Sequence, residues 1–141
     1  MLRKLFLALP IFFIACKSDI PQQIPNVFVD EYIYLNNPSA YAINFIGGHI
    51  YYDAGYKGLV IYRRYNNNDG NDWVAYERAC PDHYSRDCGL LNVVEDTFLE
   101  CPCDDTRFLL FDGSVTEGES TYPLLQYQVD YLGDRIRITN R

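Results

Sequence analysis

Two loops built around Cys-Pro constrain this chain more than any other feature. They read Cys80-Pro81-Asp82-His83 and Cys101-Pro102-Cys103-Asp104-Asp105-Thr106-Arg107-Phe108. The second is followed by Gly113, Gly118 and Pro123-Leu124. With Cys88, the region holds four cysteines, at 80, 88, 101 and 103. An even set of this kind allows two disulfides in any of three connectivities. The same thiols are also candidate metal ligands.

The chain around the loops reads as short strands. Tyr occurs 13 times and Phe 8 times, against one Trp. Aromatic and β-branched residues suit a pleated, half-buried surface, and helical periodicity is poor throughout. Strand-like runs cover 26–34, 49–52, 59–65, 72–77, 90–94, 97–100, 108–111, 125–131 and 135–139, with a further short piece beginning at Val115. Ala42 to Phe45 is a short apolar run before a turn at Gly47-Gly48. Asn66 to Gly70, Glu95-Asp96 and Gly133-Asp134 read as hairpin tips, where Asn, Asp and Gly tolerate positive φ. Turns every eight to twelve residues or so favour an all-β sandwich or barrel.

The N-terminus sets the compartment. Arg3 and Lys4 precede an apolar run from Leu5 to Ala15, which is too short to cross a bilayer. Residues 1–15 therefore read as a secretory signal peptide. Phe13-Ile14-Ala15-Cys16 resembles a bacterial lipobox, which implies cleavage before Cys16 and lipid on its thiol. Lipid anchors a protein without making it span. Residues 16–26, polar and carrying Pro21 and Pro25, read as lipidated cysteine and tether, and residues 27–141 as one domain. Losing Arg3 and Lys4 takes the net charge from −7 to −9. That acidity argues against nucleic acid and against attraction to anionic lipid. The expected partners are the membrane, through the lipid, and an envelope redox or binding partner. Outside the cytoplasm, cysteines oxidise and stay oxidised.

From Gly47 to Asn140 the order of parts resembles the Rieske iron–sulfur domain family. In that family two loops at the tip of a β-domain each supply one Cys and one His to a [2Fe–2S] cluster. The first loop runs Cys-x-His and the second Cys-Pro-x-His-Gly-Ser. Here Cys101-Pro102-Cys103 is intact, and Thr106 stands for the Ser whose hydroxyl hydrogen-bonds the cluster. Phe108, Gly113, Gly118, Pro123, Leu124 and Tyr127 fall where the pattern wants them, and 73–81 resembles the strand entering the first loop. The resemblance implies a Rieske-like β-sandwich or barrel with a small two-loop cluster-binding-type subdomain, its tip formed by 80–88 and 101–106.

The ligand positions depart from the family. Asp104 occupies the second His position, and His83 lies three residues after Cys80, with Asp82 in the expected place. The implied metal set is Cys80, His83, Cys101 and Asp104. Carboxylate is a harder ligand than imidazole, and its charge would lower a cluster's reduction potential. The resemblance also implies a disulfide, since some respiratory-type members tie their two loops together. Cys88 and Cys103 match those roles by order, with Cys88 set further out. Cys80 and Cys101 would then face each other and, without iron, form a second bridge. A closed loop of roughly fifteen residues gains about 3 kcal/mol in the chain-entropy model.

Other readings of the same residues exist. A four-thiolate zinc site would usually show Cys-x-x-Cys knuckles, and these spacings differ. Asp82, Asp104 and Asp105 read as a solvated acidic surface, or as oxygen ligands for a hard cation such as calcium. His83 is out of ligand register, and His49 lies in a strand-like aromatic run. The Tyr-rich strands are explained by sheet packing, with a carbohydrate- or partner-binding face as the alternative. No Gly-x-Ser-x-Gly elbow, His-Glu-x-x-His or phosphate-cradling loop is present, and a non-enzymatic role is expected. The expectation is a disulfide-stapled binding or structural lipoprotein with a degenerate cluster site. The alternative is a [2Fe–2S] electron-transfer protein.

Overall fold

The computed structural model describes residues 23–140. The expected signal peptide over 1–15, the lipid site Cys16 and most of the tether lie outside the described residues. The tether's last part does not hang free. Ile24 is 4% exposed, Gln23 Nε2 donates to the Tyr122 hydroxyl at 2.6 Å, and Asn140 Nδ2 donates to Asn26 Oδ1 at 2.7 Å. The packed chain thus begins before residue 27, because Ile24 is an apolar side chain with a core to enter.

Among the described residues, ten strands form two antiparallel sheets. The larger contains β1 (Asp30–Tyr34), β2 (His49–Tyr52), β3 (Leu59–Arg63), β4 (Trp73–Glu77), β9 (Gln126–Tyr131) and β10 (Arg135–Thr139). Their order is β1-β10-β9-β4-β3-β2. The smaller contains β5 (Asn92–Val94), β6 (Phe98–Glu100), β7 (Arg107–Leu109) and β8 (Val115–Glu117), paired in that order. The chain is all-β, as its aromatic and β-branched composition implies.

Strands β3 and β4 explain how the two sheets join. Side chains alternate across a strand, and here both faces are covered. Leu59, Ile61, Trp73 and Ala75 enter one core with Ile33 of β1 and Ile136 and Ile138 of β10. Adjacent strands lie about 4.8 Å apart, so bringing β1 and β3 into one core requires the larger sheet to curl. Val60, Val74 and Tyr76 point the other way, into a second core with Leu91, Leu99, Phe108 and Leu110 of the smaller unit. Burial on both faces is why these strands read as near-continuous apolar runs.

One element was not legible in the sequence. Residues Pro38–Asn44 form a 3₁₀ helix where only the apolar run 42–45 was read. Proline at its first turn presets φ, and the three-residue repeat puts Ala40 and Ile43, both fully buried, on one face. The strand read from Asp72 starts at Trp73, since Gly70–Asp72 is one turn of 3₁₀ helix. Asp72 is buried there, accepting from the Asn67 and Asn68 amides at 2.7 and 2.9 Å.

The two-loop tip as candidate functional site

The first loop leaves β4 and re-enters the smaller sheet at β5. Its base is closed by Leu91 N to Arg78 O at 2.7 Å and Cys80 N to Gly89 O at 3.1 Å. Three successive turns fill it: His83 N to Cys80 O, Arg86 N to His83 O and Gly89 N to Arg86 O, at 3.1, 3.0 and 3.0 Å. A Cβ at Gly89 would collide with the His83 carbonyl, so the backbone closes only around glycine. The second loop joins β6 to β7. Cys101 N donates to Thr106 O and Asp105 N to Cys101 O, both at 2.9 Å. Asp105 sits at φ 59°, where Asp is tolerated.

These loops bring all four cysteines together. Cys80 is bonded to Cys101 and Cys88 to Cys103, with Cα–Cα separations of 5.7 and 5.1 Å, within the range a disulfide spans. The inner bridge is buried, with Cys80 and Cys101 exposed by 1% and 2%. In the outer bridge Cys88 is exposed and Cys103 half-buried. Beside the inner bridge, His83 Nε2 lies 2.9 Å from Asp104 Oδ2. Burial pushes the Asp104 carboxyl up, but hydrogen bonds from Thr106 and His83 and the His83 charge outweigh it, and the group lies below its ordinary value.

The residues named in the sequence separate into two sets. Cys80, His83, Cys101 and Asp104 line one cavity of about 10 Å³. Asp82 lines it too, but its Oδ2 accepts from Ser120 Oγ and Thr121 N, both at 2.9 Å, and not from a ligand partner. The Thr106 hydroxyl donates to Glu119 O at 3.2 Å, not to sulfur. Gly118, at φ 76°, lets this packing happen, since a Cβ there would lie 2.7 Å from Thr106 Oγ1. His49 stays in β2, its ring edge-on to Tyr51. With every one of these cysteines in a disulfide, no thiolate remains for zinc. Among the described residues no group of three or more His, Cys, Asp or Glu side chains is arranged to hold a metal ion.

A feature that sequence reading missed supports the first loop from below. Glu77, on β4, is fully buried. Its carboxylate accepts from the Tyr56 and Lys57 amides at 2.8 and 2.7 Å and from the Tyr127 hydroxyl at 2.8 Å. The segment it holds then touches the tip: Lys57 Nζ donates to Arg86 O at 2.8 Å, and the Tyr56 and Tyr84 rings meet edge to face at 6.0 Å. A lone Glu in an apolar strand carries no pattern that announces such a role.

The resemblance implies a [2Fe–2S] cluster, and the geometry tests it. The residues that would hold it are Cys80, Cys101, His83 and Asp104. As arranged, the two sulfurs are bonded to each other and the imidazole is paired with the carboxylate. The shallow cavity between them has room for about one water. In this arrangement the tip is closed, and both pairs would have to open before these four residues could hold a cluster.

No protein-family model and no curated protein matches the sequence. Solved structures do match. The plasma membrane Rieske protein PetC3 of the cyanobacterium Synechocystis PCC 6803 superposes with a TM-score of 0.51 at 17% identity, over 65% of this chain and 86% of that one. The ferredoxin of carbazole 1,9a-dioxygenase from Nocardioides aromaticivorans IC177 gives a TM-score of 0.46 at 18% identity, over 69% and 88%. At such identity the likeness to PetC3 speaks for the fold alone. Taken with the two-sheet topology and the disulfides joining the tip loops, it makes the described chain a Rieske-like, all-β domain.

Proposed function

We propose that this chain is a non-enzymatic lipoprotein of the bacterial cell envelope. Lipid on Cys16 anchors it outside the cytoplasm, and its Rieske-like domain serves as a disulfide-stapled binding or structural module. One observation carries the reading. The positions implied as cluster ligands satisfy one another, Cys80 with Cys101 and His83 with Asp104. The lipobox-like Phe13-Ile14-Ala15-Cys16 supports the anchor, and an oxidising compartment supports the bridges. The module's partner is an envelope component.

A second reading, electron transfer by a bound [2Fe–2S] cluster, draws on the fold likeness to the Rieske protein PetC3. Visible absorption and iron content of the purified protein separate the two. The proposed module is colourless and iron-free. Bands beyond the protein's near-ultraviolet absorption that bleach with reductant, with stoichiometric iron, would replace it by the electron carrier.

A further inference from the structure

We infer that the outer bridge, Cys88–Cys103, is a thiol–disulfide exchange site for an external dithiol, and that the inner bridge is insulated from that exchange. The inference rests on the proposal that Cys80 and Cys101 are bonded to each other rather than to iron.

Access distinguishes the two bridges. Exchange requires a thiolate to reach a disulfide sulfur, so its rate follows exposure. Cys88 is exposed, as are its neighbours Ser85, Arg86 and Asp87. The inner sulfurs belong to residues that are almost wholly buried, packed in a core with Phe108, Leu99 and Tyr76. An incoming thiolate therefore attacks Cys88 Sγ. The Cys88–Cys103 bond breaks, Cys103 leaves as thiolate and takes a proton, and the entering sulfur is held in a mixed disulfide. The second thiol of the same reductant attacks that bond, releasing Cys88 as a thiol and the reductant as its cyclic disulfide. Two electrons and two protons pass to the protein.

The tip stays assembled afterwards. Cys80–Cys101 and the His83–Asp104 pair still join the loops, and the first loop keeps its own backbone bonds. Exchange at this site thus changes the chemistry of an exposed edge without dismantling the fold.

The test is a titration of the native protein with dithiothreitol, trapped by iodoacetamide and mapped by mass spectrometry. A species with two added groups, both on Cys88 and Cys103, is expected to accumulate before any with four. The variant C88S/C103S should resist the same reductant until denatured. Direct passage to four modified cysteines, or earlier modification of Cys80 and Cys101, would overturn the inference. Iron and free thiols at Cys80 and Cys101 before any reductant is added would instead overturn the proposal on which it rests.

Discussion

Glu77 shows how a single charged side chain is kept inside a strand. Its two oxygens answer two backbone amides and one phenol, so no lone donor is left buried around it. Burial first, and then the Glu77 hydrogen bond, pushes the Tyr127 hydroxyl well above its ordinary value, which keeps it a donor at any physiological pH. Removing the carboxylate strands all three donors, each worth about 1–3 kcal/mol when left unmet. We expect Glu77→Ala to cost about 3 kcal/mol or more in urea unfolding, and Glu77→Gln distinctly less. Equal losses would mean that the cavity, not the hydrogen bonds, sets the cost. Asp104 is one of three depressed carboxylates, with Asp30 and Asp112, that make stability depend on acid. Its carboxyl is depressed in the folded state, so its contribution is present above the unfolded value of about 3.9 and is lost as pH falls through the folded one. Asp104→Asn should therefore flatten the acid limb of a stability profile below about pH 4; an unaltered acid slope would contradict the His83 and Thr106 contacts. At this scale the sequence was legible where a residue sat in a patterned loop, as Cys80, Cys101 and Asp104 do. Glu77 was not, because its partners are amides from a loop twenty-odd residues away.

Among the elements, the β5–β6 hairpin is the clearest case of local and global structure agreeing imperfectly. Glu95 and Asp96 were legible as its turn, and both sit at positive φ, 54° and 52°. These φ values are those of the mirror-image turn that favours Asn-Gly, closed by Thr97 N to Val94 O at 3.2 Å inside a three-residue connection between Val94 and its partner Phe98. Left-handed backbone costs ordinary residues about 1–2 kcal/mol each. Replacing Glu95-Asp96 by Asn-Gly should raise the denaturation midpoint, by about 1 kcal/mol in stability after loss of the long, exposed Glu95–Arg107 ion pair. A lower midpoint would mean that the turn is held by its side chains. Most strands were legible for the same reason this hairpin was: apolar runs ended by turn residues. The 3₁₀ helix at Pro38–Asn44 was not, because only Ala40 and Ile43 mark its buried face, and two positions do not make a period.

On the scale of the whole molecule, β3 and β4 form a wall shared by two cores. The sulfurs of Cys80 and Cys101 belong to the second core, alongside Leu91, Leu99, Phe108 and Leu110. The tip is thereby continuous with the scaffold, and apolar packing plus two covalent staples can hold it without any bound group. The all-β class could be read from the strand-like runs and turns, and the Rieske-like fold was implied by the resemblance that the Cys-Pro loops, glycines and Pro123-Leu124 carry. The state of the tip could not, since a Cys pair that ligates and a Cys pair that bonds have the same sequence. Mass-spectrometric mapping of protein isolated from cells, alkylated without reduction, addresses that state directly. No alkyl group is expected on Cys80, Cys88, Cys101 or Cys103, with 80 linked to 101 and 88 linked to 103. Alkyl groups on Cys80 and Cys101, with only the 88–103 link recovered, would contradict this expectation.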